Sequence, residues 1–389
     1  MKMPTKNTII TSLLIVVIFF IFIFSHESRG GYDKVFVLDN SNFNDDILSN
    51  EEEKKMTLEN VQKVPFNGNC DSCDFFDKDN IIYSKRNGQG SFLDVNNERL
   101  NYYGINILNL KTNREEKLIP VENKSQRFII PSPDKKRIFY SEGEEILEKD
   151  AKYKEEENKS YIYNVKSKEK INIPYKTFIK WMPDSSGYIG IKDSLFLQDF
   201  NKGISKEILD YKQLKKIENI QEISIAKDCQ NIFIQGFKSD EDFSSYIYNV
   251  NLDKPYEANL VLKGNIKRIE AIDNNNLIFS GKYWGEKGLY NYNLETKEIK
   301  KLLDGDIVLF KLSNDKKSIA YVVKDKDGNN ILYAAKLYKN SISESVMLYK
   351  NLFIKYYTLN WSEDNKRLIA AFYEEKEEKD NKIYIFHFR

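Results

Sequence analysis

Histidine is almost missing from this chain: only His26 and His387 occur in 389 residues. Ser-His-Asp and Cys-His chemistry needs a positioned imidazole. Neither residue offers one, since His26 follows an apolar run and His387 sits in a strand-like segment where it reads as packed. Cysteine is sparse too, at three residues. Cys70 and Cys73 form a Cys-x-x-Cys, but a structural zinc site needs a second Cys or His pair. Thioredoxin-like chemistry needs a βαβ context that is absent, so the pair reads as a structural clip or as idle thiols. Cys229 has no evident partner.

No Gly-rich phosphate loop is present. Neither sign of charge dominates, because 60 basic against 59 acidic residues leave a formal +1. That balance removes the field on which nucleic-acid binding depends. Asp325-Lys326-Asp327-Gly328-Asn329-Asn330 opens like a calcium loop, yet it lacks Gly at its sixth position and has Lys336 at its twelfth. A hairpin turn fits it better. No metal and no cofactor are expected.

What the chain does have is rhythm. An Asp followed four positions later by an apolar residue opening a β-rich run occurs at Asp77, Asp134, Asp184, Asp228, Asp273, Asp315 and Asp364, at intervals of 57, 50, 44, 45, 42 and 49 residues. Such a period, made only of strand and turn signals, predicts an all-β protein, a seven-bladed β-propeller, with six or eight blades as alternatives. Asp bonds its own backbone and favours tight turns, so the seven aspartates read as hairpin formers rather than as acids, bases or ligands. A third strand recurs as Ile162-Tyr163-Asn164-Val165 and Ile247-Tyr248-Asn249-Val250, with relatives at Ile107-Leu108-Asn109-Leu110 and Tyr292-Asn293-Leu294. Each is followed by a charged strand such as Glu115–Ile119 or Glu298–Leu302, which fits a solvated outer edge.

Ser132-Pro133-Asp134-Lys135-Lys136-Arg137-Ile138-Phe139 resembles the WD40-like "PD" repeat of the TolB-type propeller family, and Pro183-Asp184 keeps part of it. The family's turn reads Ser-Pro-Asp-Gly; no repeat here has that Gly. The resemblance, from Val64 onward, implies a propeller. Propeller-bearing peptidases, which the chain distantly resembles, carry an additional hydrolase domain for which no residues remain.

From Ile9 to Phe24 the sequence holds no charge, and Lys2 and Lys6 precede it. The run predicts an N-terminal transmembrane helix, an uncleaved signal anchor over residues 9–25, with residues 1–8 in the cytosol by the positive-inside tendency. Secretion after cleavage is the alternative. Residues 26–56 read as an extracytoplasmic tether and 57–389 as the propeller. Because Leu58–Val64 looks like an outer strand and Ile383–Phe388 like a third strand, the N-terminal strand is expected to complete the last blade. The Lys/Asn/Ile bias suggests a bacterial source.

The connections between second and third strands read as the long ones, at Arg86–Leu100, Gly143–Ser160, Lys238–Ser244, Lys282–Gly288, Lys324–Asn329 and Glu374–Asn381, and binding is placed on that face. Trp181 and Trp361, three positions before a repeat Asp, read as core. Tyr283 and Trp284 break that register and are the candidate binding residues, suited to stacking on a sugar or a peptide. The expected function is a membrane-anchored, non-catalytic module that binds another envelope or membrane protein, or an envelope polymer. The alternatives are a glycan-acting hydrolase or lyase, and a structural subunit of an envelope complex.

Overall fold

The computed structural model describes residues 55–66, 68–93, 99–120, 124–143, 159–173, 179–191, 194–210, 214, 217–237, 244–376, 378 and 380–389. The anchor over residues 9–25, most of the tether, His26 and most of the Gly143–Ser160 and Lys238–Ser244 loops lie outside them. Among the described residues all of the regular structure is strand. The described residues open with β1 (Leu58–Lys63). The first ladder then holds β2 (Cys70–Phe75), β3 (Asn80–Leu93), β4 (Arg99–Asn109) and β5 (Glu115–Lys117); the second holds β6 (Ser125–Pro131), β7 (Arg137–Gly143), β8 (Lys159–Asn164) and β9 (Lys170–Ile173). A third contains β10 (Ile179–Trp181), β11 (Gly187–Ile191), β12 (Ser194–Asp199) and β13 (Ile204–Asp210).

The next strands are β14 (Asn219–Ile225), β15 (Asn231–Phe237), β16 (Ser245–Asn251) and β17 (Ala258–Ala271), then β18 (Asn276–Tyr283), β19 (Glu286–Asn293) and β20 (Ile299–Asp304). β17 is long enough to close the fourth ladder against β16 and open the fifth against β18. After β21 (Asp306–Leu312), β22 (Ser318–Lys324) and β23 (Asn330–Lys336), β24 (Val346–Trp361) does the same between the sixth and seventh. β25 (Arg367–Tyr373) and β26 (Lys382–Phe388) follow, and β1 pairs antiparallel with β26, Val61 opposite Phe386. Every pairing is antiparallel, and four strands make each ladder.

The seven repeat aspartates sit in the turns between first and second strands, where each carboxylate accepts the backbone N–H two residues on, over 2.8–3.2 Å. Asp is thus a turn former here, as the repeat predicts. In five of these turns the next residue is left-handed: Lys135, Ser185, Cys229, Lys316 and Asn365, with φ of 58–63°. That conformation explains why Gly is usual there. Each side chain reaches back to the preceding ladder: Lys135 to Asp74 (3.0 Å), Ser185 to the Asp134 N–H (2.9 Å), Cys229 to Asp184, Lys316 to Glu270 (2.7 Å) and Asn365 to the Asn314 N–H (2.8 Å). A glycine would relieve backbone strain but lose the tie.

The second strands are apolar without alternation because both faces are buried. Ile138 and Tyr140 pack towards the first ladder and Phe139 towards the third; Leu277 and Phe279 face the fourth, Ile278 the sixth. Each join between neighbouring ladders has its own core, and one of these joins the seventh to the first, where Cys70, Cys73, Ile81 and Tyr83 meet Ile369, Ala371, Ile383 and Ile385. The cores therefore follow one another in a closed cycle. Outer strands carry the charge, and Glu115, Glu116 and Lys117 are all exposed.

Two expectations need correction. Asn164 and Asn109 end their strands opposite the first residue of the second strand, and the residue equivalent to them in the fourth ladder is Asn251, not Asn249. The repeated Ile-Tyr-Asn-Val is thus two residues out of register, a slip that keeps each side chain on its face. Nor are Arg86–Leu100 and Lys282–Gly288 long loops. β3 and β4 stay paired past Arg86 as far as Leu93 and Arg99, and β18 and β19 as far as Tyr283 and Glu286.

Candidate functional site

The first strands line the inside of this arrangement, and one position on them can be followed ladder by ladder. Asp74, Ile130, Lys180, Ser224, Glu270, Lys311 and Asn360 each pair with the third residue of the neighbouring second strand. Four of the polar ones are bonded to the next ladder. Ser224 Oγ accepts the Ala271 N–H (2.8 Å), Glu270 Oε2 accepts the Leu312 N–H (3.0 Å), Asn360 Nδ2 donates to the Cys73 carbonyl (3.0 Å), and Asp74 Oδ2 takes the Lys135 ammonium (3.0 Å). The ammonium groups of Lys180 and Lys311 make no hydrogen bond or ion pair to any described residue.

Around these two lysines the strands β10, β14, β17 and β21, with the turn after β21, gather six charges. Burial lowers Lys180, and the Lys311 charge adds to it, against the pull of Glu270 and Glu222; the result is a pKa of about 8. Burial raises Glu270, but Lys316 and Lys311, with the Leu312 N–H, outweigh it and bring the carboxyl down to about 2. Glu222 is pushed above its ordinary range by burial although Arg268 lies 3.8 Å away and the Ile269 N–H is bonded to it at 2.9 Å. Lys180, Arg268, Lys311 and Lys316 face Glu222 and Glu270, so the cluster is positive when all are charged.

A second polar group lies between the first two ladders. Asp71 is buried, which pushes its carboxyl up to about 6 despite the Arg127 guanidinium 3.5 Å away. Arg127 and Arg86 both lie over the Tyr103 ring, at 4.3 and 4.7 Å. Glu142, also buried, is paired with Lys170 at 2.8 Å.

Tyr283 and Trp284 occupy the two-strand hairpin between β18 and β19. Trp284 (φ 47°) and Gly285 (φ 84°) are its central residues, both left-handed, the geometry that matches strand twist. Tyr283 folds back on the blade against Phe279 and Tyr290, with ring centroids 6.2 and 5.8 Å apart, and so stiffens the base of the hairpin. Trp284 is 87% exposed at its tip. Lys301 pairs with Glu286 beside it (2.5 Å), and Lys287 with Asp306 (2.7 Å).

Trp181 and Trp361 are core residues, and their indole N–H groups donate to the Ile130 and Lys311 carbonyls of the preceding ladder at 2.8 and 3.1 Å. His387 is half-buried, and burial lowers its pKa. Cys70 and Cys73 are free, buried thiols; a register shift between Cys70 and Ser72 lets residues three apart point into the same core. Asp325 Oδ1 accepts the Asp327 and Asn329 N–H groups (2.9 and 2.8 Å), which makes its segment a hairpin turn. Lys180, Glu222, Glu270 and Lys311 were missed by sequence reasoning. For Lys180, Glu270 and Lys311 the one signal is a charged residue three or four positions before the repeat Asp, and for Glu222 one six positions before it.

No protein-family model matches the chain, and no curated protein sequence matches it. Among solved structures, it is similar to the β-propeller domain of the Trilobed protease from Pyrococcus furiosus, at 14% identity over 83% of this chain and 97% of that one, with a TM-score of 0.56. It is also similar to a chain from a study of two prolyl endopeptidases (14% identity, TM-score 0.52), over 78% of this chain but only 46% of that one, so it spans less than half of that protein's length. A third similar structure is TolB from Acinetobacter baumannii, at 12% identity over 80% of this chain and 81% of that one, with a TM-score of 0.44. With the antiparallel ladders and their cycle of cores, the likeness to the Pyrococcus domain makes the described residues a β-propeller, the architecture that the Pro-Asp repeat implied.

Proposed function

We propose that this protein is a seven-bladed propeller, one blade per ladder, that binds another envelope or membrane protein, or an envelope polymer, without catalysis. In this reading residues 1–8 are cytosolic, 9–25 anchor the chain in a bacterial cell membrane, 26–56 form a tether, and 57–389 form the extracytoplasmic propeller. The observation that carries the binding role is Trp284. An indole 87% exposed on a hairpin tip, braced from beneath by Tyr283, exposes apolar surface that folding does not use. Large aromatics held rigidly lose little entropy on docking and supply much of the energy at interaction hot spots. The charged pairs around it provide the polar rim that such sites have.

The test is capture from intact cell envelopes, and in parallel from isolated cell-wall glycan, with the full-length protein and with Trp284→Ala. Wild type is expected to retain a specific protein or the glycan, and the variant to lose most of that retention while melting at the same temperature. Recovery of nothing by the wild type from either source overturns the proposal. So does equal recovery by both proteins.

A further inference from the structure

The inner charges on β10, β14, β17 and β21 do not cancel one another. Arg268 is placed against Glu222 and Lys316 against Glu270, and both carboxylates also accept a backbone N–H from the next ladder. Those four groups are used by the fold. Lys180 and Lys311 remain, at the same position of the third and sixth ladders, each without a partner among the described residues and each within reach of the other's field. Every other polar residue at that position is tied to a neighbouring ladder. A partly buried ammonium with no hydrogen-bond acceptor of its own costs folding energy, and two within each other's field cost more.

We propose that Lys180 and Lys311 hold a small oxyanion, a carboxylate or phosphate group, between the inner strands of the propeller. Two ammonium groups bring six N–H donors and no acceptor, a set that a metal ion repels and that an oxyanion with several lone pairs satisfies. The excess of two positive charges matches an anion of one or two negative charges. Glu222 and Glu270 hold Arg268 and Lys316 in place, which leaves the two lysines to meet the ligand. Both lysines are only partly buried, so solvent, and an anion with it, reaches them. The site is separate from the Trp284 hairpin, and either can exist without the other.

The experiment is a thermal melt of the full-length protein against inorganic phosphate and, separately, a short acidic peptide with a free C-terminal carboxylate, at an ionic strength fixed with sodium chloride. Wild type is expected to gain stability saturably with at least one of them. Lys180→Met and Lys311→Met each weaken that binding about tenfold or more, the loss of one charge-assisted contact, and the double variant abolishes it. Without added anion the double variant melts above wild type, because the mutual repulsion is gone. Lys180→Arg, which keeps the charge, retains binding and guards against a general folding defect. Saturation with phosphate alone identifies a free ion as the occupant; saturation with the peptide, competed by phosphate, identifies an acidic group of a partner. A shift that does not saturate with either probe, or one that survives in the double variant, overturns the proposal.

Discussion

The residue after each repeat Asp shows how a single side chain decides between strain and cohesion. Lys316 is left-handed at φ 62° and its ammonium meets Glu270 at 2.7 Å. Replacing it with Gly recovers about 1 kcal/mol of backbone strain, but it strands an inner carboxylate, which costs about 3 kcal/mol. Lys316→Gly is therefore expected to destabilise the protein by about 2 kcal/mol in denaturant titration. Lys297, at the same φ of 62° but exposed and with no ion pair to a described residue, makes the contrast: Lys297→Gly is expected to stabilise by about 0.5–1 kcal/mol. Glu270 also sets a pH dependence. Its folded pKa of about 2 lies below the ordinary 4.5, so its contribution is complete above pH 4.5 and lost as pH falls towards 2. The gap corresponds to on the order of 3 kcal/mol; melts across that window are expected to show a steeper acid loss in wild type than in Glu270→Gln. The turn role of Asp was legible in the sequence because it is local, a carboxylate bonding an N–H two residues away. Lys316's partner was not, since Glu270 lies in another ladder and nothing between them marks the pairing.

At the level of strands, the apolar second strands and charged fourth strands were legible, because burial on two faces or on none leaves a direct imprint on composition. The ends of the hairpins were not. Polar Arg86, Asn87 and Gly88 read as a loop, yet β3 continues to Leu93, because the ladder is carried by backbone hydrogen bonds that side-chain polarity does not report. The pairing of β1 with β26 gives a firm prediction. Val61 and Lys63 lie opposite Phe386 and Tyr384, so removal of residues 55–63 leaves a long apolar strand with unpaired backbone groups at an open edge. The truncated protein is expected to melt lower and to run as aggregates in gel filtration. Deleting Tyr384–Arg389 removes the strand that β1 and β25 share, and it is expected to abolish the cooperative melt altogether.

For the molecule as a whole, stability depends on the cycle of cores being complete. Asn381, buried where the seventh ladder meets the first, accepts the Cys70 N–H at 2.8 Å and donates to the Cys70 carbonyl at 2.5 Å. Asn381→Ala leaves both backbone groups buried and unbonded, a loss of about 1–3 kcal/mol. Hydrogen exchange in this variant is expected to quicken in β2 and β26 together, while the join between the third and fourth ladders stays protected. The repeat period foretold the sequence of ladders, but not the gathering of Lys180, Glu222, Glu270 and Lys311, since convergence of residues from four repeats has no trace in any one of them.

β17 and β24 each belong to two ladders, with no break in the strand between. At those two crossings there is no connector into which new sequence can be inserted during evolution or by an engineer without cutting a hydrogen-bonded strand. Between Lys117 and Ser125 the strands are separate. Grafted peptides and fused domains belong at joins of that second kind, and variation among descendants of this chain will collect there.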